Sequence, residues 1–253
     1  MNIKTPIVYD ISHYKEVADF NAINPRPFLM ITKATEGTGF VDNKFIRFFD
    51  GMEQAGMHRG CYHFHRKAYS ATAQAQHFVN VISGVVTSND ILVLDVEEGG
   101  ESASQLLEFM EYVKDVYPAN IIMIYSRKNI LDPIGMTTAQ KVRMKAFPTW
   151  TAGYPFNPDL YSWPPASYIP EQTKYGPVWL WQYSSSGIVQ GIQGSVDLNW
   201  IHPDLFEMLD GSTPPVDPEY IIDHPYDGVT RKRGDGVQVL VVEPGSIGKV
   251  EIV

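Results

Sequence analysis

The stretch ILVLDVEEGG at residues 91–100 decides the fold class, because an apolar run of strand length ends in three acids and two glycines. Successive side chains of a β-strand point to opposite faces. Ile91, Val93, Asp95 and Glu97 therefore share one face, with the two acidic Cα atoms about 6–7 Å apart. The pattern predicts a buried strand that carries two carboxylates at its carboxyl end.

Seven further short runs are typical of buried strands, because they are rich in β-branched and aromatic residues. They lie at residues 6–12, 28–37, 60–66, 121–126, 148–154, 178–184 and 195–200. Between the early runs, residues 42–57, 69–82 and 102–117 place apolar residues at helical spacing, and Ser102 or Ser104 is the expected N-cap of the third helix. This alternation predicts βαβ units and a parallel sheet.

The pattern changes in the second half of the chain. Residues 127–147 are expected to hold a broken helix, and the last runs are joined by loops rich in Pro, Gly and Ser. We therefore predict an α/β fold, a modified and irregular TIM-like β/α barrel with helices missing from the later connections; a doubly wound open sheet is the alternative. Residues 1–210 are expected to form the barrel, 211–218 a linker, and 219–253 a small strand-rich appendage of unknown role.

Charge and composition exclude several classes of protein. A net charge of −9 leaves no broad basic face for a nucleic-acid backbone. Cys61 is the only cysteine, so no disulfide can form within the chain. The sequence shows no signal peptide and no membrane-spanning segment, and we expect synthesis in a (host) cytoplasm without a signal peptide and no membrane insertion.

Acids recur at the ends of other predicted strands. Asp10 ends the first run and Asp197 lies in the last one, so a closed barrel would bring both to the rim that Asp95 and Glu97 reach. Two carboxylates beside apolar walls cannot both ionise at low cost, so one pKa should rise. A single acid at a strand end more often caps a helix or pairs with a cation, but four such acids favour an active site that cleaves an acetal.

Aromatic residues accumulate at the same strand ends. They are Tyr62, Tyr125, Trp150, Tyr154, Trp179, Trp181 and Tyr183. A carbohydrate groove and simple core packing are both compatible with this set. His63 and His65 share a strand face, but no third ligand is evident, so we expect packed and hydrogen-bonded histidines and no metal site.

The order of these motifs resembles that of a known family. DISHY (10–14), KATEGTGFVD (33–42), VLDVE (93–97), WQYSSSG (181–187) and GSVDLN (194–199) are similar to segments of glycoside hydrolase family 25. These are the muramidases often called lysozymes, including those of the phage endolysin type. The resemblance covers about residues 6–203. It implies a modified β/α barrel and hydrolysis of the β-1,4 bond between N-acetylmuramic acid and N-acetylglucosamine.

The resemblance also implies roles for individual residues. Glu97 corresponds to the general acid and Asp95 to its partner carboxylate, and Asp10 and Asp197 complete the site. Glu98, on the opposite strand face, is expected to be dispensable for the chemistry. The expected substrate-binding residues are Tyr62, Tyr125, Trp150, Trp181, Tyr183, Lys33 and Glu36, of which Lys33 and Glu36 are expected to form an ion pair behind the site. No cofactor is implied.

The sequence departs from the family pattern just after Asp10. Tyr14 stands where the family often has Trp, and Lys15 stands where Asn or Gln is usual. Contacts with the glycan are therefore expected to differ here while the chemistry is retained.

The sequence thus predicts a peptidoglycan hydrolase whose partner is the glycan strand, and the setting that fits best is a bacteriophage lysin. It would act on the bacterial cell wall, released at lysis or associated with the virion, and residues 219–253 would mediate virion attachment or self-association. A non-catalytic wall-glycan-binding or structural barrel of a larger assembly is the alternative. A chitinase-like amino-sugar hydrolase and a bacterial autolysin also stay open.

Overall fold

The computed structural model describes residues 7–154 and 175–211 and two short strands nearer the C-terminus. The chain divides into two units, Met1–Trp163 with Pro170–Pro214 and Pro164–Ile169 with Pro215–Val253. In the second unit, strands Ile222–His224 and Val229–Arg231 pair in antiparallel fashion. The predicted linker at 211–218 lies outside the described residues except for Gly211, so the proposed boundary stays a prediction.

Eight strands form the wall of a closed barrel. In chain order they are β1 (Val8–Ile11), β2 (Leu29–Glu36), β3 (His58–Phe64), β4 (Ile91–Val96), β5 (Ile121–Arg127), β6 (Thr149–Ala152), β7 (Val178–Ile188) and β8 (Ser195–Ile201). Strand β1 pairs with β2 on one side and with β8 on the other, which closes the sheet. All eight predicted strands are confirmed, and closure excludes the open doubly wound sheet.

Short strands lie at the edges of this wall. Phe40–Val41 pairs with the end of β2, and Glu16–Val17 pairs with Ile192–Gln193 in a separate two-stranded sheet.

A close approach within the wall requires glycine at one position. A Cβ on Gly60 of β3 would lie 2.8 Å from the carbonyl oxygen of Ile91 in β4.

The parallel pairing predicted from the early strand–helix alternation does not extend to the last strand. Strands β1 to β7 run parallel to one another, whereas β8 runs antiparallel to both of its neighbours, β7 and β1. Only residues 189–194 join β7 to β8, and a parallel crossover needs about a dozen residues or more. The amino end of β8 therefore lies at the rim formed by the carboxyl ends of the other strands.

The described part of the chain contains six α-helices, of which the first three cover the outside of the early strands. They are α1 (Phe45–Gln54), α2 (Ala71–Ile82) and α3 (Ala103–Val116), all three as predicted, then α4 (Lys128–Leu131), α5 (Thr138–Met144) and α6 (Pro203–Asp210). The short α4 and α5 are the broken helix expected at 127–147. Helix α6 was not predicted; His202 caps it, Pro203 occupies its first turn, and Gly211 ends it with a φ of 69°. Most of the β6–β7 connection lies outside the described residues.

Strand β4 separates two apolar layers, as its alternation predicts. Ile91 and Val93 join the cluster inside the barrel. Leu92, Leu94 and Val96 join the cluster between the barrel wall and helices α2 and α3. The inner face of this strand therefore points its last side chains towards the barrel mouth.

Candidate active site

Asp95 is the last inward-facing residue of β4, and Glu97 follows directly beyond the strand. Asp95 is buried, and its Oδ1 has no hydrogen-bond partner among the described residues. Burial, and then the charge of Glu97, raise the pKa of Asp95 well above its usual range. The Glu97 side chain is 31% exposed and lies 3.9 Å from Nη2 of Arg127. The pair thus contains one buried and one accessible carboxyl, as an acid/base site requires.

Asp10 and Asp197 lie directly opposite each other where β1 and β8 pair. Burial and the neighbouring Asp197 raise the pKa of Asp10 well above its usual range. Burial also raises the pKa of Asp197, although its hydrogen bond with Asp10 and the charge of Lys15 act in the opposite direction. The antiparallel direction of β8 creates this carboxyl pair, because Asp197 near its amino end then lies at the rim formed by the carboxyl ends of the other strands.

Two amide side chains that the sequence analysis did not identify hold Asp10. Gln182 Nε2 donates to Asp10 Oδ2 at 2.9 Å, and Asn199 Nδ2 donates to the same oxygen at 2.8 Å. The available signal was strand alternation: Gln182 lies two residues after the inward-facing Leu180, and Asn199 two residues after Asp197. Amides were overlooked because they do not titrate.

Three aromatic residues orient these amides. Trp150 Nε1 donates to Asn199 Oδ1 at 2.8 Å, and Tyr125 Oη donates to Gln182 Oε1 at 2.8 Å. The Tyr154 hydroxyl donates to the same Gln182 oxygen. Trp150 is 2% exposed and Tyr125 is 6% exposed, and both belong to the inner cluster.

Lys33 and Glu36 form the predicted ion pair at the end of β2. Arg66 Nε donates to Glu36 Oε1 at 2.8 Å. Burial alone would raise the pKa of Glu36, but the hydrogen bonds from Lys33 and Arg66 lower it. The Lys33 ammonium also lies 4.8 Å from the centre of the Phe64 ring. The charge of Lys33 opposes the rise in the pKa of Asp95, so this ion pair contributes to the electrostatics of the acidic centre.

Tyr62 joins the acidic centre, but two of the predicted aromatic residues do not. Burial, and then the charges of Asp95, Asp10 and other acids, raise the pKa of the Tyr62 hydroxyl. Trp181 and Tyr183 alternate with Gln182 along β7 and so face the other side of the wall. Trp181 Nε1 donates to the carbonyl oxygen of Gly153, and Tyr183 packs against an outer apolar cluster. The structure does not bring these two rings to the carboxylates.

The model of the glycosyl hydrolases family 25 matches residues 9–192, a range that includes Asp10, Asp95 and Glu97. The chain belongs to glycoside hydrolase family 25.

Individual relatives agree with this placement. The chain is 31% identical over 217 residues to the autolytic lysozyme of Clostridium acetobutylicum, covering 83% of this chain and 59% of that protein. It therefore spans less than two thirds of the length of this curated relative. The bacterial lysozyme of Streptomyces coelicolor has the same fold, with a TM-score of 0.65 and 24% identity over 82% of this chain and 98% of that one. The CTP1L endolysin gives the same TM-score and identity over 82% of this chain and 70% of its own.

Two histidines of this family 25 chain, His63 and His65, are fully buried. His63 Nδ1 lies 2.7 Å from Thr35 Oγ1, and its Nε2 lies 3.2 Å from Gln74 Oε1. Burial lowers the pKa of His63 to about 3. His65 is buried 3.7 Å from Glu101. Within the described ranges, no group of three or more His, Cys, Asp or Glu residues is arranged to hold a metal ion.

None of the helices in the described part of the chain is long and apolar enough to span a membrane.

Proposed function

We propose that this family 25 protein is a glycoside hydrolase that cleaves the β-1,4 bond between N-acetylmuramic acid and N-acetylglucosamine in peptidoglycan. The observation that carries the proposal is the placement of Asp95 and Glu97 at one strand end, beside the Asp10–Asp197 pair. Hydrolysis of a glycosidic bond requires a proton donor for the leaving oxygen and a second carboxylate at the anomeric centre.

Glu97 is the general acid in this proposal. Its partly exposed carboxyl can reach a glycan at the barrel mouth, whereas the Asp95 carboxyl is buried below it. After Glu97 gives its proton to the leaving oxygen, the nearby Arg127 guanidinium stabilises the resulting carboxylate.

Asp95 orients the 2-acetamido group of the substrate in this mechanism. Its buried Oδ1 lacks a partner among the described residues and can accept the acetamido N–H. The acetamido oxygen then attacks the anomeric carbon while the leaving oxygen takes the proton from Glu97. Water opens the resulting cyclic intermediate, returns a proton to Glu97 and leaves the anomeric configuration retained.

The decisive test compares Glu97→Gln with Glu98→Gln on purified cell walls. Glutamine at position 97 has no proton to donate, so release of reducing sugar should fall by at least about 10²-fold. Glu98 is the matched control, because its carboxylate accepts from Arg66 and from the backbone N–H of Lys67 at 2.9 Å and lies off the catalytic face. Unchanged turnover in Glu97→Gln would contradict the assignment and favour a non-catalytic glycan-binding barrel.

Stereochemistry tests the proposed role of Asp95. Proton NMR of the first products should show the β-anomer of the new reducing end in excess, before mutarotation. An initial excess of the α-anomer would exclude the acetamido mechanism and leave an inverting one. Comparison of chitin oligomers with peptidoglycan as substrates separates a muramidase from a chitinase-like enzyme.

The glycan contacts that we propose are ordered by accessibility. Tyr62 lies among the acids and is the first candidate for direct contact, with Lys33 and Glu36 acting behind the site. Tyr125 and Trp150 would contribute by holding the polar groups that meet the sugar. Trp181 and Tyr183 would contact only a glycan that also runs along the outer side of β7.

The setting that we propose is a bacteriophage lysin, made in the host cytoplasm and acting on the cell wall. The single cysteine and the sequence of residues 219–253, from which we expect a strand-rich appendage, support it. The 31% identity to a bacterial autolytic lysozyme supports an autolysin as the second candidate. Fractionation of a lysate into particles and soluble protein, followed by immunoblotting, separates a virion-attached lysin from a freely released one.

A further inference from the structure

Two buried amide side chains, those of Gln182 and Asn199, donate to the same oxygen of Asp10. Gln182 Nε2 and Asn199 Nδ2 lie 2.9 and 2.8 Å from Asp10 Oδ2. The three side chains are at most 6% exposed, so water does not compete for these hydrogen bonds.

The orientation of the Asn199 amide follows from its neighbour. An indole N–H can only donate, and Trp150 Nε1 points at Asn199 Oδ1 from 2.8 Å. A flipped amide would place two donors against each other. The N–H groups of Asn199 therefore face Asp10, and the hydroxyls of Tyr125 and Tyr154 orient Gln182 in the same sense.

A proton on Asp10 is excluded from Oδ2 by this arrangement, since that oxygen already accepts two N–H groups. The remaining oxygen, Oδ1, is left for Asp197, which lies directly opposite in the strand register and is hydrogen-bonded to Asp10. We propose that Gln182 and Asn199 are positioning residues that confine the proton of Asp10 to Oδ1, so that Asp10 donates it to Asp197 and the two acids carry one negative charge together.

A single charge on this pair matters because the rim holds two further acids. With one negative charge, the Asp10–Asp197 pair still stabilises a positively charged transition state. It also repels the carboxylates of Asp95 and Glu97 less than two ionised acids would. This role of Gln182 and Asn199 rests on the proposed glycosidase function, because both residues belong to the same site. The titratable or charged groups around Asp10 are Tyr62 of β3, Asp95 of β4, Glu97 beyond it, Tyr125 of β5, Tyr154 beyond β6, Asp197 of β8, and Lys15.

The test uses the isosteric change Asn199→Asp in the full-length protein. The ionised new carboxylate would replace a donor by an acceptor, so kcat on cell walls at neutral pH should fall by about 10- to 100-fold. When it is protonated, its hydroxyl can donate to Asp10 Oδ2 as the amide did. Activity should therefore recover on acidification and move the pH optimum to lower pH, with KM little changed.

Two further variants separate positioning from simple structural damage. Asn199→Ala removes the donor without adding a titratable group, so its loss of kcat should persist at acid pH. Gln182→Glu should repeat the acid recovery of Asn199→Asp. The matched control is Asn120→Asp at the opposite end of the barrel, where a buried amide donates to the carbonyl oxygens of Thr87 and Asp90. It should lower stability without moving the pH optimum.

A wild-type pH optimum in both Asn199→Asp and Gln182→Glu would overturn the proposal, as would an equal, pH-independent loss in Asn199→Asp and Asn199→Ala. A second measurement does not depend on hydrolysis. If Asp10 holds a proton in the folded state, the wild type must gain thermal stability relative to Asp10→Asn as the pH falls from neutral. No such gain would also overturn it. Failure of the wild type to cleave walls would reject the proposed function alone.

Discussion

Asp95 and Glu97 leave one strand only two residues apart, yet their surroundings differ. Asp95 ends inside the barrel mouth with an oxygen that has no partner among the described residues, and Glu97 is partly exposed beside Arg127. Alternation along β4 explains why both face inward, and the end of the strand explains why only one is buried. Two acids of one short segment thereby have different surroundings, which the separate roles that we propose for them require.

His63 provides a prediction about stability at the residue scale. Its folded-state pKa of about 3 lies below the value of about 6.5 expected when unfolded. The folded state therefore binds fewer protons, and the stability that neutral His63 contributes is lost as the pH falls from 6.5 towards 3. Relative to His63→Gln, the wild type should lose about 2–3 kcal/mol of unfolding free energy between pH 6.5 and 4.5.

Urea denaturation of both proteins at the two pH values measures this difference. Other titrating groups, including Asp10 and Asp95, are common to both proteins and cancel in the comparison. Equal pH dependence of the wild type and His63→Gln would show that the buried imidazole does not resist protonation.

Helix α3 shows how a local signal positions the segment that follows strand β4. Ser102 accepts from the backbone N–H of Gln105, and the Gln105 side chain accepts from the backbone N–H of Ser102. Before that cap, Glu98 is held by Arg66 and by the backbone of Lys67. The segment after strand β4 is therefore held at Glu98 and again at Ser102, where helix α3 begins.

The cap gives a prediction at the element scale. Ser102→Ala should lower the unfolding free energy by about 1 kcal/mol, because one backbone N–H of the first turn loses its acceptor. Ser104, which the sequence left as an alternative cap, is the matched control: it lies inside the helix at an exposed position. Ser104→Ala should change stability by less than about 0.5 kcal/mol. Equal losses in the two urea transitions would refute the assignment of the cap.

Barrel closure is the property of the whole molecule on which the site depends. Strand β1 completes the wall by pairing with β2 in parallel and with β8 in antiparallel fashion. The core clusters of the described residues run from Val8 to Phe206. Their residues all belong to the larger unit of the chain.

Removal of the C-terminal segment is therefore expected to spare the barrel. A chain ending at Pro214 should keep a native far-UV circular dichroism spectrum, a cooperative thermal transition and Glu97-dependent hydrolysis of soluble wall fragments. Oligomeric state, measured by light scattering, should change only if residues 215–253 mediate self-association. A non-cooperative transition would contradict the proposed boundary.

Some helices and site residues could be predicted from the sequence, and others could not. The three early helices were predicted because their apolar stripes repeat every three to four residues, and α6 was overlooked because it has only eight residues. Tyr62 was placed correctly near the acids. Gln182 and Asn199 were not recognised, since a neutral amide in a strand carries no chemical signal until its partner is known.

The sequence by itself determined the strands, the main helices and the face on which Asp95 and Glu97 project, because these follow from side-chain periodicities spanning only a few residues. Tertiary structure alone decided that β8 runs antiparallel, that Asp197 lies opposite Asp10 and that Trp150 donates to Asn199. It also turned Trp181 and Tyr183 to the outer side of the wall. The physical reason is distance along the chain: the contact between Asn199 and Asp10 joins residues 189 positions apart, and only closure of the barrel brings such residues together.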